Sequence, residues 1–159
     1  MKLNHNLARS GLIAAQYVLL TMVSALFGMA SGPVQLRLGE ALTVLPCFTS
    51  AAVPGLFAGC IIANLLSGGA PWDIIAGSLA TLLGAIGTRF FRRRLWLALL
   101  SPVVTNSLII PVVLAEVYGA PESLPVLFIM VAAGELASCC GLGFLLYRTL
   151  KSRAFQLFE

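Results

Sequence analysis

Long uncharged runs follow one another along the chain, separated by charge clusters or by turn-forming residues. No charged side chain occurs from Ser10 to Leu36, which predicts a helix over 7–30 closed by the Ser31-Gly32-Pro33 turn. The next uncharged run, Ala41 to Trp72, is too long for one membrane span of about 20 residues and short for two. Pro46 and the Thr49-Ser50 pair followed by Pro54 mark a break inside it, since proline is tolerated near a helix start and disfavoured within. Two short helices are therefore expected, over 36–48 and 51–67. Three more are predicted over 72–91, 96–116 and 122–150, parted by the arginine cluster and by Tyr118-Gly119-Ala120-Pro121. The expected fold class is an all-α membrane protein, a bundle of six transmembrane helices forming one membrane domain over 1–159.

Composition narrows the function classes. Of 159 residues 59% are apolar and 10% charged, against roughly a quarter charged in a soluble domain. Six spans leave no room in this length for a soluble catalytic or ATP-binding domain. There is no Walker-type loop, no helical HExxH pair and no cysteine–histidine cluster at metal-ligand spacing. Cys47, Cys60, Cys139 and Cys140 sit in apolar surroundings, where cysteine behaves as a small hydrophobe. Neither a metal nor a cofactor is expected in this chain, and the first apolar run is too long for the core of a cleavable signal peptide.

Ten basic residues against six acidic ones give a net charge of +4. Lys2 and Arg9 form one basic group, Arg89, Arg92, Arg93 and Arg94 a second, and Arg148, Lys151 and Arg153 a third. Cytoplasmic loops of membrane proteins are enriched in Lys and Arg. Six spans place all three groups and both termini on the cytoplasmic side, whereas five would put Arg89–Arg94 opposite the N-terminus. The remaining cation, Arg37, falls on the outer side.

Arg37 and Glu40 are three residues apart and share a helical face. Asn64 lies near the outer end of the third predicted helix, Trp72 and Asp73 begin the fourth, and Asn106 and Glu135 lie near the middle of the fifth and sixth. An ionisable group in hydrocarbon is costly and normally marks a functional site. Each also has a plainer reading. Glu135 suits an interhelical hydrogen bond, Arg37 and Glu40 a structural ion pair, Asp73 a helix cap, Trp72 an interfacial anchor, and Asn64 and Asn106 interhelical amide contacts. Together, carboxylates, amides, an arginine and a tryptophan suit a planar polar ligand. A carboxylate accepts two parallel N–H bonds from a guanine-like edge, and an aromatic face stacks on a ring. Other heterocyclic vitamins fit this chemistry equally. In the first helix, Ser10 with Ala14 and Gly11 with Ala15 form two small-xxx-small pairs, a pattern that admits a close partner helix and also serves packing within a bundle.

Several segments, in order, resemble one known family. Val34-Gln-Leu-Arg-Leu-Gly-Glu-Ala-Leu-Thr-Val-Leu-Pro46, Pro54-Gly-Leu-Phe-Ala-Gly-Cys-Ile-Ile-Ala-Asn64 and Trp72-Asp-Ile-Ile-Ala-Gly-Ser-Leu-Ala-Thr81 look like the QueT family of queuosine-precursor transporters. Pro102-Val-Val-Thr-Asn106 and Gly134-Glu135 also resemble it, and the likeness runs from about Arg9 to Lys151. Gly39 departs from it, standing where the family pattern has serine. The resemblance implies the substrate-binding S component of an energy-coupling factor (ECF) transporter. Such a component captures its ligand outside, associates with a transmembrane coupling subunit and two ABC ATPases that hold ATP and Mg, and topples in the membrane to release substrate. It implies a 7-deazaguanine ligand bearing a cyano or aminomethyl group. Glu40, Asn106 and Glu135 would read the base edge, Arg37 would orient Glu40 or meet the carbonyl, and Trp72 would stack. Asn64 and Asp73 complete the expected site, and Ser10, Gly11, Ala14 and Ala15 the contact with the coupling subunit. The rival expectations are an S component for another heterocyclic vitamin, a stand-alone passive facilitator, and a membrane enzyme using Glu40, Asp73 or Glu135, for which the only histidine, His5, lies in the cytoplasmic tail.

Overall fold

The computed structural model describes residues 2–29 and 36–152; the Ser31-Gly32-Pro33 turn, Val34, Gln35 and Arg153 lie outside that range. Among the described residues all regular structure is helical. Helix α1 spans Lys2–Leu26, a 3₁₀ helix Leu38–Cys47, α2 Ala52–Leu66, α3 Pro71–Phe90 and α4 Leu95–Glu116. Helix α5 runs continuously over Leu124–Lys151, its turns widened to π geometry at Leu136–Leu142.

Four of these six helices, α1, α3, α4 and α5, are long and apolar enough to cross a membrane. The other two are shorter. Ten residues of 3₁₀ helix at about 2.0 Å each reach roughly 20 Å. Fifteen residues of α2 at about 1.5 Å each reach roughly 22 Å, against a hydrocarbon core of about 30 Å.

Small residues set the distances between helices. A Cβ added at Gly84 of α3 would stand 2.7 Å from Pro102 Cα of α4, so these two helices approach backbone to backbone. Ser101 and Thr88 bond across the same contact, the first to the Gly84 carbonyl at 3.2 Å and the second to the Ala98 carbonyl at 2.9 Å. Helix α1 meets α2 in the same way. A Cβ at Gly55 would lie 2.7 Å from the Ser10 carbonyl, and one at Gly59 would lie 3.0 Å from that of Ala14.

The outer surface is apolar, with Leu12, Leu19, Leu79, Leu83, Ile86 and Leu108 exposed, while Thr21, Ser24, Glu40, Asn64, Thr81 and Glu135 are buried. That inversion of the soluble pattern is expected where lipid is the solvent and polar side chains must find partners inside the bundle.

The 3₁₀ helix is the post around which the rest assembles. Every residue from Gly39 to Pro46 is buried, and the segment packs against all five α-helices. Pro46 supplies no backbone N–H and resists continuation as an α-helix. Gly39 permits close approach to α1, since a Cβ there would collide with the Thr21 hydroxyl and lie 3.1 Å from the Tyr17 carbonyl. Gly143 of α5 meets the 3₁₀ helix at ordinary contact distance, its virtual Cβ 3.5 Å from the Ala41 carbonyl.

Candidate functional site

The two segments that depart from α geometry face each other, with Glu40 in one and Glu135 in the α turn that leads into the other. In a 3₁₀ helix residues three apart align, so Glu40 and Thr43 lie along one edge, Arg37 precedes the helix in extended backbone, and the Thr43 hydroxyl donates to the Glu40 carbonyl at 2.6 Å. Glu40 is 1% exposed. Its Oε1 accepts the Tyr17 hydroxyl of α1, and its Oε2 is buried without a hydrogen-bond partner.

Across from it, Glu135 closes the last α turn before the π segment. π turns occur mostly as local insertions at functional sites; here they carry Cys139, whose thiol donates to Glu135 Oε2 at 3.2 Å. The Thr43 hydroxyl points at the Cys139 sulfur at 3.5 Å, and the Asn106 amide of α4 reaches the Glu135 carboxylate. One ligand atom each from Glu40, Glu135 and Cys139 lie within 4.8 Å of one another, a two-oxygen, one-sulfur trio able to meet a cation.

A second polar group extends the first toward α2 and α3. Arg37 Nη2 donates to Asn64 Oδ1 at 2.9 Å, while its Nε is buried without a partner. The Asn64 amide and the Thr81 hydroxyl both point at the Cys60 sulfur, at 3.6 and 3.4 Å. Asp73 accepts from the Tyr118 hydroxyl at 2.9 Å, and that oxygen accepts the Ala70 N–H at 3.1 Å. Arg37 interacts electrostatically with Glu40 on one side and Asp73 on the other, and so links the two groups. Gly77 makes room for this, because a Cβ there would lie 3.1 Å from Asn64 Nδ2.

Of the expected site residues, Glu40, Asn64, Asn106 and Glu135 are buried, and Arg37 and Asp73 are half-buried beside them. Trp72 is 68% exposed and stands apart from them. The four small residues of α1 divide. The Ser10 hydroxyl donates to the Ala51 carbonyl at 2.8 Å and Ala14 is buried against α2, whereas Gly11 and Ala15 are exposed. Tyr17, Thr43 and Cys139 belong to the site although the sequence reading did not single them out. Tyr17 does have a signal: Ser10, Ala14, Tyr17, Thr21 and Ser24 follow one another at spacings of four and three, a stripe along one helix face. Away from the carboxylates, an apolar groove of about 510 Å³ opens between α1 and α5, lined by Leu12, Ile13, Gln16, Leu42, Leu45 and Leu146 among others.

The family model described as QueT transporter matches residues 7–152. A curated protein of Lactococcus lactis subsp. cremoris (strain MG1363), named queuosine precursor transporter QueT, is 34% identical over 91 residues. That alignment covers 56% of this chain and 53% of the relative, so the chain spans about half the length of the curated relative it matches. No solved structure matches the chain.

Proposed function

Because the chain belongs to the QueT transporter family, we propose that it is the substrate-binding S component of an ECF-type importer, capturing a queuosine precursor. The observation that carries this reading is the buried pair Glu40 and Glu135, with one Glu40 oxygen unpartnered inside an apolar helical bundle. Such a group is retained in a membrane protein against its cost where a ligand or ion completes it.

The ligand is a 7-deazaguanine carrying a cyano or aminomethyl group. Glu135, steadied by Asn106 and Cys139, accepts the two parallel N–H bonds of the guanine-like edge. Arg37, held by Asn64, faces the carbonyl, and Asp73 balances its charge. Trp72, 68% exposed, fits an interfacial anchor.

In this reading the bundle crosses the membrane six times with both termini cytoplasmic. The short 3₁₀ helix and α2 each account for one crossing, and the basic groups at Arg92–Arg94 and Arg148–Lys151 lie inside. The protein binds and does no chemistry. A separate transmembrane subunit with two ABC ATPases, which bind ATP and Mg, supplies the energy, and it docks on the exposed Gly11 and Ala15 of α1.

Reconstitution in vesicles separates this from a passive facilitator and from a membrane enzyme. With the coupling module and ATP present, labelled 7-deazaguanine enters unchanged; the protein alone gives no uptake. Uptake by the protein alone overturns the S-component reading, and a chemically altered ligand overturns both transport readings.

A further inference from the structure

We propose that the groove between α1 and α5 holds one acyl chain of an anionic phospholipid, with Arg9 meeting its phosphate. This goes beyond the proposed function and does not depend on it. Helix α1 and the last turns of α5 both pack on the 3₁₀ helix rather than on each other, which leaves a concave strip of about 510 Å³ between them. Leu42 and Leu45 of the 3₁₀ helix form its floor, and Leu12 and Leu19 of α1 face Leu146 and Leu150 of α5 across it. Arg9 and Gln16 are its polar lining residues, and no acidic residue lines it.

Polarity, length and charge choose the occupant. Arg9 is the last charged residue before the uncharged run that begins at Ser10, so it stands at the edge of the hydrocarbon, with Leu19 and Leu20 deeper along the same strip. A molecule with an anionic head and an apolar tail fits that order. Arg9 to Leu20 covers about 16 Å of helix axis at about 1.5 Å a residue, close to half of a hydrocarbon core of about 30 Å. A transmembrane helix of a partner would need a groove through both leaflets, whereas an acyl chain needs one. A guanidinium presents a fork of N–H donors that matches phosphate, and α5 carries Arg148 and Lys151 in the same last turns as Leu146 and Leu150. Basic pockets between membrane helices on the cytoplasmic side gather anionic headgroups in this way. A zwitterionic head brings its own cation and gains less.

The test is native mass spectrometry of the purified full chain after exchange in an equimolar mixture of phosphatidylglycerol and phosphatidylcholine with the same acyl chains. One retained lipid per chain is expected, phosphatidylglycerol over phosphatidylcholine by at least about fivefold. In Arg9→Gln that preference should fall below about twofold, while Arg93→Gln, in the exposed turn between α3 and α4, should keep it. Gln16→Trp, at an exposed position lining the groove, fills it and should lower retention of both lipids by at least about fivefold. Equal retention of the two lipids by the wild-type protein overturns the inference, as does an equal loss of preference in Arg9→Gln and Arg93→Gln, which would assign the effect to net charge. Unchanged lipid retention in Gln16→Trp with ATP-driven uptake lost would give the groove to a partner helix and overturn it as well. A chain dimer that Gln16→Trp abolishes, with no lipid retained, would give it to a second copy and do the same. The wild-type competition decides alone should a variant not fold.

Discussion

The α3–α4 hairpin and the 3₁₀–π pair are built in opposite ways. In the hairpin, Gly84 and Ala98 let the backbones touch, and Ser101 and Thr88 return their hydroxyls to carbonyls of the facing helix. Polar groups there are consumed locally. Where the 3₁₀ helix meets the π turns of α5, the backbone is irregular on both sides, and Glu40 Oε2 remains unpartnered. Regular helices closed by small residues supply the frame. The segments that give up α geometry place charge where a ligand can use it.

The largest expected effect on that contrast is at Glu135. Glu135→Gln keeps the shape of the side chain, so the folded yield should hold, while ligand affinity falls by more than about a hundredfold in a binding titration, because an amide cannot accept both N–H bonds of the edge. Normal binding by this variant would show that the carboxylate pair is not the site.

Gly84→Val attacks the frame instead. Its Cβ would meet Pro102 backbone, so the variant should lose on the order of 2–3 kcal/mol in a denaturation or thermal-shift measurement, and the fraction that folds should bind ligand as the parent does. A variant that folds as stably as the parent would mean the hairpin is not closed through Gly84.

Tyr17→Phe removes the donor to Glu40 Oε1 and leaves that carboxylate with no hydroxyl partner. Stability should fall by about 1–3 kcal/mol in a thermal-shift measurement, because a buried acceptor is left unsatisfied, and affinity should drop by about tenfold. The smallest effect on binding belongs to the outward face of α1. Gly11→Leu and Ala15→Leu enter open space and should leave the titration unchanged, yet lower ATP-driven uptake in reconstituted vesicles. Uptake at the parent rate would remove α1 from the docking surface.

Glu40, Asn64, Asn106 and Glu135 could be read from the sequence because each interrupts an apolar run, and a polar group there must turn inward. What could not be read is mostly rotation. Neighbouring helical residues point about 100° apart, so Trp72 and Asp73 cannot both face one site, and composition does not say which does; Asp73 is the half-buried one and Trp72 stands exposed. The same holds for Ser10 and Gly11, or Ala14 and Ala15: the partner glycines that settle which pair faces inward, Gly55 and Gly59, lie on another helix.

Helix type was hidden too. Pro46 announces a break, but the winding of Leu38–Cys47 as a 3₁₀ helix and the π turns of Leu136–Leu142 answer to packing from all sides. Cys139 is silent for a related reason. Read as a small hydrophobe it fits its apolar run, and only the π turns reveal it as the thiol that holds Glu135.

The central claim, that the buried carboxylate cluster is a queuosine-precursor site, is tested most directly by titrating the purified chain with 7-deazaguanines, guanine and unrelated vitamins in parallel. Saturable binding of one 7-deazaguanine per chain is expected, with guanine weaker and the vitamins silent. Tighter binding of a vitamin, or no binding of any 7-deazaguanine, would contradict it.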